Sequence, residues 1–318
     1  MELKVAIIGG GSSDEAEISR ISSGEVLKAI QITHEAKFFE FDKNLATNLL
    51  DYGPDVAVPV LHGPHGEDGT IQGFLSGLEI PFVGSDIHAS AIGMDKHVSK
   101  LVFEDNNLSV LPSFVLTDRD LQPCNIDQSI DQIHSELGAS LVVKPVNQGS
   151  AIGVTLLPNG GDLKPALLEA AKYSREILIE PFKQGREITV GVLDLYDQEP
   201  TSLPVIDIVL AKDEWYDFTN RYTVGKSKHV IPPKGLSQEL LDSIAEAAVK
   251  AHVALSCSDL SRSDFVVEDT GKYWLLEVNT MPGMTSTSLY PDAARANNIA
   301  FPTLMAQLVE SGFKRGVR

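Results

Sequence analysis

The chain has 318 residues, and its 44 Asp and Glu against 26 Lys and Arg give a net charge of −18. That balance argues against a general binder of nucleic acid or anionic membranes, because neutralising phosphates requires a basic face. An apolar content of 43% is ordinary for a globular chain of two or three domains, and Cys124 and Cys257 lie too far apart for a zinc finger or a disulfide framework.

The N-terminal stretch alternates strand-like and helix-like segments. KVAIIG at 4–9 predicts a buried strand, and a helix is expected from about Glu15 to Ile30. Further strands are predicted at AKFFEF, DVAVPVL and IPFVG, with a helix from about Gly69 to Leu78 before the last of them. Strands separated by helices predict a parallel sheet with crossover helices.

The middle of the chain is predicted to combine a long helix with a small sheet. SDIHASAIGMDKHVSKLVFEDN has helical periodicity and opens with Ser85 and Asp86 as candidate caps. LVVKPV and EILIEPF predict strands, the Gly/Ser loop NQGSAIGV leads into another strand, and PALLEAAKY predicts a helix.

From Arg186 the chain is rich in predicted strand, with EITVGVLD and LPVIDIVL before an irregular polar stretch from Asp213 to Pro233. A helix is expected at about 238–254, and SDFVVED and KYWLLEVN predict a hairpin whose turn is EDTG. The loop NTMPGMTSTSLYP and a final helix near 302–311 complete the chain. Seams near residues 93 and 185 therefore divide it into three predicted domains, 1–93, 94–185 and 186–318.

The first glycine turn, GGGSSDEAE, lacks the third glycine of a dinucleotide fingerprint, because Asp14 stands in its place. Carboxylates at a helix N-terminus would repel a pyrophosphate and would suit an ammonium group. An ordinary strand-to-helix turn with capping carboxylates explains the same residues, and both readings stay open at this point.

The segment HGPHGEDGTIQG has four glycines in twelve residues, which indicates a backbone of unusual angles or one that a ligand approaches closely. His62, His65, Glu67 and Asp68 could form a metal cluster. A shaped functional loop, with Glu67 and Asp68 capping the helix from Gly69, is the favoured interpretation.

Lys144 lies in the predicted strand LVVKPV, where a half-buried lysine requires an anionic partner. Ser150 follows in a glycine-flanked loop whose backbone N–H groups could hold phosphates, although no Walker A motif is present.

The strongest local signal lies in the predicted hairpin. Residues i and i+2 of a strand share one face, so Arg262 with Asp264 and Glu277 with Asn279 should meet on one surface. Hard oxygen ligands of this kind suit Mg²⁺, with phosphate oxygens completing its coordination, and Arg262 adds a fixed positive charge.

With these motifs in place, the chain from Val5 to about Val309 resembles the ATP-grasp ligases and, among them, the D-alanine–D-alanine ligase family. The matching segments occur in the family's order: GG…EAEIS, HGPHGEDGTIQG, MDK, VVKP, QGSAIGV, IEPF…GREITV, YDFTNRY, RSDF and LLEVNTMPGMTSTSLYP. The resemblance implies an α/β fold, α+β in parts, with an N-terminal Rossmann-like domain, a small central α+β lid domain and a C-terminal α+β catalytic domain. The nucleotide and metal site would lie between the last two domains.

The resemblance also implies roles for individual residues. The implied ATP contacts are Lys96 and Lys144 at the phosphates, Glu180 at the adenine amino group and Glu187 at the ribose hydroxyls. Phe182 and Lys183 would add backbone contacts along the hinge, and Leu276 is a further implied ATP-binding residue. Two Mg²⁺ or Mn²⁺ ions would be held by Asp264, Glu277 and Asn279. The implied substrate residues are Glu15 and His62 for the first D-alanine, Ser288 and Leu289 for the second, Arg262 and the Gly283 N–H for an oxyanion, and Tyr222 in a triad with Glu15 and Ser150.

Three departures from the family pattern accompany this resemblance. Ala151 stands where a second serine is usual, and Arg221 stands where a lysine usually precedes the lid tyrosine. One extra residue in the first turn leaves the assignment of Glu15 or Glu17 to the ammonium group open.

The implied reaction joins two D-alanines through a D-alanyl phosphate, releasing ADP and phosphate, for synthesis of a peptidoglycan precursor. The stretch from Asp213 to Pro233 is the expected lid, and a homodimer located in a reducing cytoplasm is expected, with no nucleic-acid or membrane partner. Rival interpretations are a ligase for another dipeptide or a depsipeptide, a nicotinamide-dependent dehydrogenase, and a non-catalytic binder. Tyr222 favours an amine nucleophile by resemblance, Asp14 argues against the dehydrogenase, and the hairpin cluster argues against the binder.

Overall fold

The computed structural model describes residues 1–13, 15–210, 226–285 and 288–318. Their elements form three sheets flanked by helices, and each sheet lies within one of the three predicted domain ranges. The seams at 93 and 185 themselves stay a prediction. In this described part of the chain, no helix is long and apolar enough to cross a membrane.

The first sheet is parallel, with strand order β2-β1-β3, as the alternation of strands and helices predicted. Strands β1 and β3 are apolar and buried apart from Lys4, whereas the edge strand β2 exposes Glu35 and Lys37, and helices pack on both faces of the sheet. The elements of this region are β1 (Lys4–Gly9), α1 (Ala16–Ile30), β2 (Glu35–Glu40), α2 (Leu45–Tyr52), β3 (Val56–Pro59), α3 (Thr70–Gly77), α4 (Ile87–Met94) and α5 (Lys96–Asp105).

The second sheet is antiparallel, with strand order β4-β7-β5-β6, and its apolar face packs against two helices. Its elements are β4 (Phe114–Thr117), α6 (Ile126–Leu137), β5 (Leu141–Pro145), β6 (Thr155–Leu157), α7 (Leu163–Ala170) and β7 (Glu176–Pro181).

The third sheet is antiparallel as well, and its central path runs β11-β10-β8-β12-β13, with β9 paired to β8. Its elements are β8 (Arg186–Asp194), β9 (Thr201–Ser202), β10 (Ile206–Leu210), β11 (Ser227–Val230), α8 (Gln238–Ala254), β12 (Asp259–Val267), β13 (Tyr273–Asn279), α9 (Leu289–Ala296) and α10 (Phe301–Arg315). The hairpin of β12 and β13 and its turn at 268–271 confirm the prediction.

The C-terminal helix α10 packs against the first sheet, which contains the N-terminal strand β1. Leu304 and Leu308 of α10 pack in one core with Val5 of β1, Val58 of β3 and Leu260 of β12. The first and third sheets therefore share a hydrophobic core, which fixes the carboxyl edge of the parallel sheet beside the hairpin.

Two predicted elements differ in the structure. IPFVG is wrong as a strand, because only Phe82 bridges to Ala57. Pro81 has no N–H to donate, and Gly84, at φ +103°, turns the chain away. The single long helix is also wrong, since Asp95 adopts extended angles and its carboxylate accepts the N–H groups of the residues two and three positions on, so α5 starts anew there.

Three further differences concern segments predicted as loop or left without an element. Helix α9 begins at Leu289 within the segment predicted as a loop, and Pro291 is tolerated in its first turn. The predicted irregular stretch 213–233 contains β11, which pairs with β10, while residues 213–225 lie outside the described residues. The helices α2 and α6 were not predicted.

Asp259 of β12 forms hydrogen bonds to α10 and to Gly84, which lies near the end of the first predicted domain. Its carboxylate is fully buried and accepts hydrogen bonds from the Gly84 N–H (2.8 Å), the Ser311 hydroxyl (2.6 Å) and the Arg315 guanidinium (3.0 Å). Removing one partner of a buried pair leaves the other charge uncompensated, which costs far more than the pair contributes.

We therefore expect Asp259→Ala to lower the free energy of unfolding by about 3–5 kcal/mol, measured by urea denaturation. Asp127→Ala is the matched control, since the Asp127 carboxylate is 80% exposed in its pair with Lys164, and it should leave the transition unchanged. Equal transitions for the two variants would contradict this account of Asp259.

Candidate active site

A cleft with a volume of about 260 Å³ lies between the second and third sheets. One wall comes from β5, β7 and the loop after β5, and the other from β8, β12 and β13. Apolar side chains such as Val142, Phe182 and Leu276 line part of the cleft, and charged side chains line the rest. Among its lining residues are Val142, Lys144, Glu180, Phe182, Lys183, Glu187, Ile188, Asp264, Leu276 and Glu277.

A second, smaller chamber of about 60 Å³ adjoins this cleft at the end of the first sheet. Lys96, Gln148 and Glu277 line both cavities, so the two chambers meet at these side chains. The smaller chamber is lined further by Glu15, His62, Glu67, Ser150, Arg262, Asn279 and Gly283. A ligand in the cleft and a ligand in the smaller chamber would thus meet at the three shared side chains.

The pairing of β12 with β13 brings the predicted cluster together. Arg262 is the register partner of Asn279, and Asp264 is the partner of Glu277, immediately before a bulge at Phe265. Directly paired residues on one face lie close enough to interact. The predicted meeting of these four side chains is therefore what the strand register produces.

Cations already neutralise the two carboxylates of this cluster. Arg262 makes a bidentate pair with Asp264, at 2.9 Å from Nε and 2.8 Å from Nη2. The Thr189 hydroxyl donates to the same Asp264 carboxylate at 2.6 Å. The Lys96 ammonium lies 3.3 Å from Glu277.

The donor set of the cluster fits a hard divalent cation. Two carboxylates and one amide supply oxygen ligands only, and Mg²⁺ usually takes one or two carboxylates with water and phosphate oxygens. Among the residues described here, no group of three His, Cys, Asp or Glu could hold a metal ion by itself. The possible cluster of His62, His65, Glu67 and Asp68 is therefore not such a group.

A buried ion-pair cluster lies in the wall of the cleft, around Glu180. Glu180 of β7 is 1% exposed, and its Oε1 accepts from Lys100 while its Oε2 accepts from Lys144 at 2.6 Å. Burial favours the neutral carboxyl, but the two ammonium groups outweigh it and hold the pKa of Glu180 below its ordinary value. The sequence had indicated an anionic partner for Lys144, and Glu180 is that partner.

The first turn of α1 separates the two candidate glutamates. Glu15 is buried, and its Oε1 accepts a hydrogen bond from the Ser150 hydroxyl across the smaller chamber. Glu17 is 77% exposed and pairs with Arg20 at 3.5 Å. Only Glu15 of the two faces the chamber, as a two-residue offset along a helix requires.

The histidine–glycine loop contributes one carboxylate that the sequence had assigned to a helix cap. Asp68 does accept from the N–H groups of His65 (2.9 Å) and Thr70 (3.0 Å). Glu67 instead turns inward and accepts from the Gly63 N–H at 2.7 Å. The assignment of Glu67 as a cap is therefore wrong.

Glu67 connects this loop to the hairpin. With the Asn279 amide oriented by its partners, its nitrogen donates to Glu67 at 2.6 Å and its oxygen accepts from Arg262 at 3.0 Å. Burial, reinforced by the nearby Glu15, raises the pKa of Glu67 to about 8. Burial lowers the pKa of His62, which lies 3.3 Å from the Ser22 hydroxyl.

The remaining predicted residues fall into three groups. Phe182, Lys183, Glu187 and Leu276 line the cleft. Gly283 lines the smaller chamber and lies beside Ser288, the N-cap residue of α9. The Leu289 side chain is buried in the core, so only its backbone could face a ligand. Tyr222 and Arg221 lie outside the described residues.

Prediction from the sequence missed Glu67 and Lys100 as members of the site. Glu67 looked like a cap because it precedes a helix, and only the close packing of its glycine-rich loop turns it inward. Lys100 lies one helical turn after Lys96, and this i, i+4 spacing was the available signal that both face one side.

A parallel-sheet domain followed by two antiparallel sheets that enclose a cleft, with buried lysines and a cluster of oxygen donors, defines the ATP-grasp class of proteins. Comparison with known proteins agrees with this class. Family models described as "D-ala D-ala ligase N-terminus" and "D-ala D-ala ligase C-terminus" match residues 43–85 and 102–310.

Individual relatives cover nearly the whole chain. A D-alanine–D-alanine ligase of Pelotomaculum thermopropionicum is 38% identical over 100% of this chain and 99% of its own. The solved ligase of Bacillus anthracis complexed with ATP is 29% identical, covers 98% of both chains and has a TM-score of 0.81. A D-Ala:D-Ser ligase of Enterococcus faecalis is 27% identical, covering 98% of this chain and 100% of its own, with a TM-score of 0.81. The chain belongs to the D-alanine–D-alanine ligase family.

The raised pKa of Glu67 predicts a pH-dependent stability. A carboxyl whose folded pKa exceeds its unfolded value stabilises the fold fully below the unfolded pKa and loses that contribution as pH rises through the folded pKa, here about 8. In EDTA-containing buffer, the free energy of unfolding should therefore fall more steeply with pH for the parent than for Glu67→Gln between the ordinary pKa of 4.5 and the folded pKa of about 8.

Urea denaturation at several pH values measures this difference. Glu17→Gln serves as the control, because Glu17 is exposed, and its profile should follow the parent. Parallel profiles for the parent and Glu67→Gln would show that Glu67 does not hold its proton in the folded protein.

Proposed function

We propose that this protein joins two molecules of D-alanine at the expense of ATP, through a D-alanyl phosphate, and releases ADP, phosphate and D-alanyl-D-alanine. The observation that carries the proposal is the junction of the two chambers. Lys96 and Glu277 line both the cleft and the smaller chamber, and Glu15 lines the smaller chamber. A γ-phosphate in the cleft and an amino acid in the smaller chamber would therefore come together at Lys96 and Glu277.

In the cleft, the nucleotide base would lie among Phe182, Leu276 and Val142 with Glu180 at its edge, and the Glu187 carboxylate would accept from the ribose hydroxyls. Lys96 and Lys144 would bind the phosphates as point charges. Asp264, Glu277 and Asn279 would hold the two Mg²⁺ or Mn²⁺ ions, which neutralise phosphate charge when bound.

In the smaller chamber, Glu15 would accept hydrogen bonds from the ammonium group of the first D-alanine, with His62 beside it. That orientation turns the substrate carboxylate towards the γ-phosphate, and its oxygen attacks phosphorus to form the acyl phosphate. Arg262 and the Gly283 N–H would then stabilise the oxyanion when the second amine attacks the acyl carbon and phosphate leaves.

The second D-alanine would be held through its carboxylate at the N-terminus of α9, where Ser288 and the backbone of Leu289 are placed. Tyr222, outside the described residues, would join Glu15 and Ser150 in a hydrogen-bonded triad and favour an amine over D-lactate. The stretch 213–233 would close over the site and protect the acyl phosphate from water. The two domain seams, a homodimer, a cytoplasmic location and a role in making a peptidoglycan precursor belong to the same proposal.

Phosphate release from MgATP, measured with and without D-alanine, tests the reaction. Release that depends on D-alanine, together with D-alanyl-D-alanine identified by mass spectrometry, would support it. Parallel assays with D-serine and D-lactate as second substrates distinguish the related dipeptide and depsipeptide activities. Release that ignores D-alanine altogether would refute the proposal.

We expect Glu277→Gln to abolish ligation without unfolding the protein, because it removes one of two carboxylate charges from an oxygen-only metal set. Steady-state turnover against Mg²⁺ concentration and the melting temperature measure the two effects. Asp264→Asn should weaken the apparent Mg²⁺ affinity more mildly if Glu277 bridges both ions. Normal Mg²⁺-dependent turnover in Glu277→Gln at an unchanged melting temperature would refute the metal assignment.

Glu15→Gln preserves shape but removes the charge that would bind the first ammonium group. A charge-assisted hydrogen bond contributes about 1.5–3 kcal/mol, so the Michaelis constant for the first D-alanine should rise roughly ten- to a hundredfold while that for ATP stays nearly constant. Glu17→Gln is the matched control and should behave as the parent. If the first-site defect appears in Glu17→Gln instead, the assignment of the turn is wrong.

A further inference from the structure

Lys100 is a buried cation that the reaction described above does not use. Its side chain is 6% exposed, and its ammonium donates to the Leu111 carbonyl and to Glu180 Oε1. It projects from α5 one turn after Lys96, so a single helix sends one lysine to each end of the cleft. Lys96 faces Glu277 of the hairpin, and Lys100 faces Glu180.

Two ammonium groups pair with the single negative charge of Glu180, so the cluster has one positive charge in excess. One buried carboxylate lies between two ammonium groups, each bound to a different oxygen. Either lysine alone would neutralise the charge of Glu180. Lys144 can therefore leave the carboxylate for another anion without creating an unpaired buried charge, provided that Lys100 stays.

The positions of the two lysines decide which of them leaves. Lys144 and Glu180 line the cleft, whereas Lys100 is absent from its lining among the described residues and stands behind the wall. Lys144 thus reaches a ligand and Lys100 does not. When Lys144 moves to a phosphate, Glu180 Oε2 becomes a bare acceptor that faces the cleft, and Oε1 stays fixed by Lys100.

We propose that Lys100 is the positioning residue for base recognition, keeping Glu180 charged and oriented so that its second oxygen accepts from the 6-amino group of adenine while Lys144 serves the phosphates. An ionised carboxylate has no proton to donate. It therefore pairs with an amino group and repels the 6-oxo group of hypoxanthine or guanine. The inference rests on ATP being the nucleotide of the proposed function.

The test compares ATP with ITP, which differs from ATP at the 6-position and in the N1 proton that accompanies it. Lys100→Met leaves Lys144 as the sole partner of Glu180. Lys144 is then withheld from the phosphates, which weakens both nucleotides, and Oε2 is withheld from the amino group, which weakens ATP alone. We expect the ratio of kcat/KM for ATP to that for ITP to fall about tenfold or more, which is the scale of one charge-assisted hydrogen bond.

Two further variants separate this role from a general loss of structure. Lys144→Met should weaken ATP and ITP together and keep their ratio within about threefold, because Lys100 still holds Glu180 and no base contact is lost. Lys172→Met removes an exposed lysine paired with Glu169 and should match the parent in all constants. Melting temperatures are recorded for all three.

The outcomes are distinct. An unchanged ATP-to-ITP ratio in a folded Lys100→Met protein would overturn the proposal. If Lys100→Met does not fold, Lys144→Met decides the question, since loss of base preference in that variant would overturn the proposal and retention would support it.

Calorimetric binding of ADP and IDP provides the same ratio without turnover. A parent protein that prefers ADP but releases no phosphate with D-alanine would refute the proposed ligation and leave the role of Lys100 to be judged by binding. A parent that ligates D-alanine but binds ADP and IDP equally would refute the role of Lys100 alone.

Discussion

Compensation of buried charge organises this molecule. A carboxylate removed from water is stable only beside a cation or several hydrogen-bond donors, and the chain carries a large excess of acid. Three lysines and one arginine nevertheless lie in or next to the cleft and the smaller chamber. Lys100 and Lys144 neutralise Glu180, Arg262 neutralises Asp264, and Lys96 faces Glu277. These pairs hold the walls of the cleft in register.

The sheets explain how the pairs come to meet. The antiparallel pairing of β12 with β13 sets Arg262, Asp264, Glu277 and Asn279 on adjacent positions. In the pairing of β5 with β7, Glu180 stands opposite Val142, and Lys144, two positions further on, lies diagonally next to Glu180 on the same face. Helix α5 then crosses behind both groups and supplies the remaining lysines. Because α10 ties the first sheet to the third through a shared core, the chamber around Glu15 stays at the end of the same cleft.

The strand interactions were largely predictable from the sequence, whereas contacts made through loops and across helices were not. The spacing of two residues between Arg262 and Asp264, and between Glu277 and Asn279, predicted one face, since side chains alternate strictly along a strand. Glu67 could not be placed, because a glycine-rich loop has no such period. Lys100 has a partner eighty positions away in the sequence, and local pattern carries no information about it. The strand at IPFVG failed for a related reason, because its apolar composition does not reveal that Pro81 and Gly84 end the pairing.

The ion pairs also suggest why this arrangement suits a reaction between anions. In each pair, either a phosphate could take the place of the carboxylate beside a lysine, or a metal ion could take the place of the cation beside a carboxylate. In the proposed function, the phosphates of MgATP would offer the lysines new anions, and its metal ions would offer Asp264 and Glu277 new cations, so these partners could be exchanged with little unpaired charge at any stage. Glu180 would be the exception, since the base proposed to meet it is neutral and would offer it no cation. A carboxylate that stays charged beside a neutral ligand requires a cation that remains in place. In the proposal above, Lys100 would be that cation, because it is buried behind the wall of the cleft and paired with Glu180.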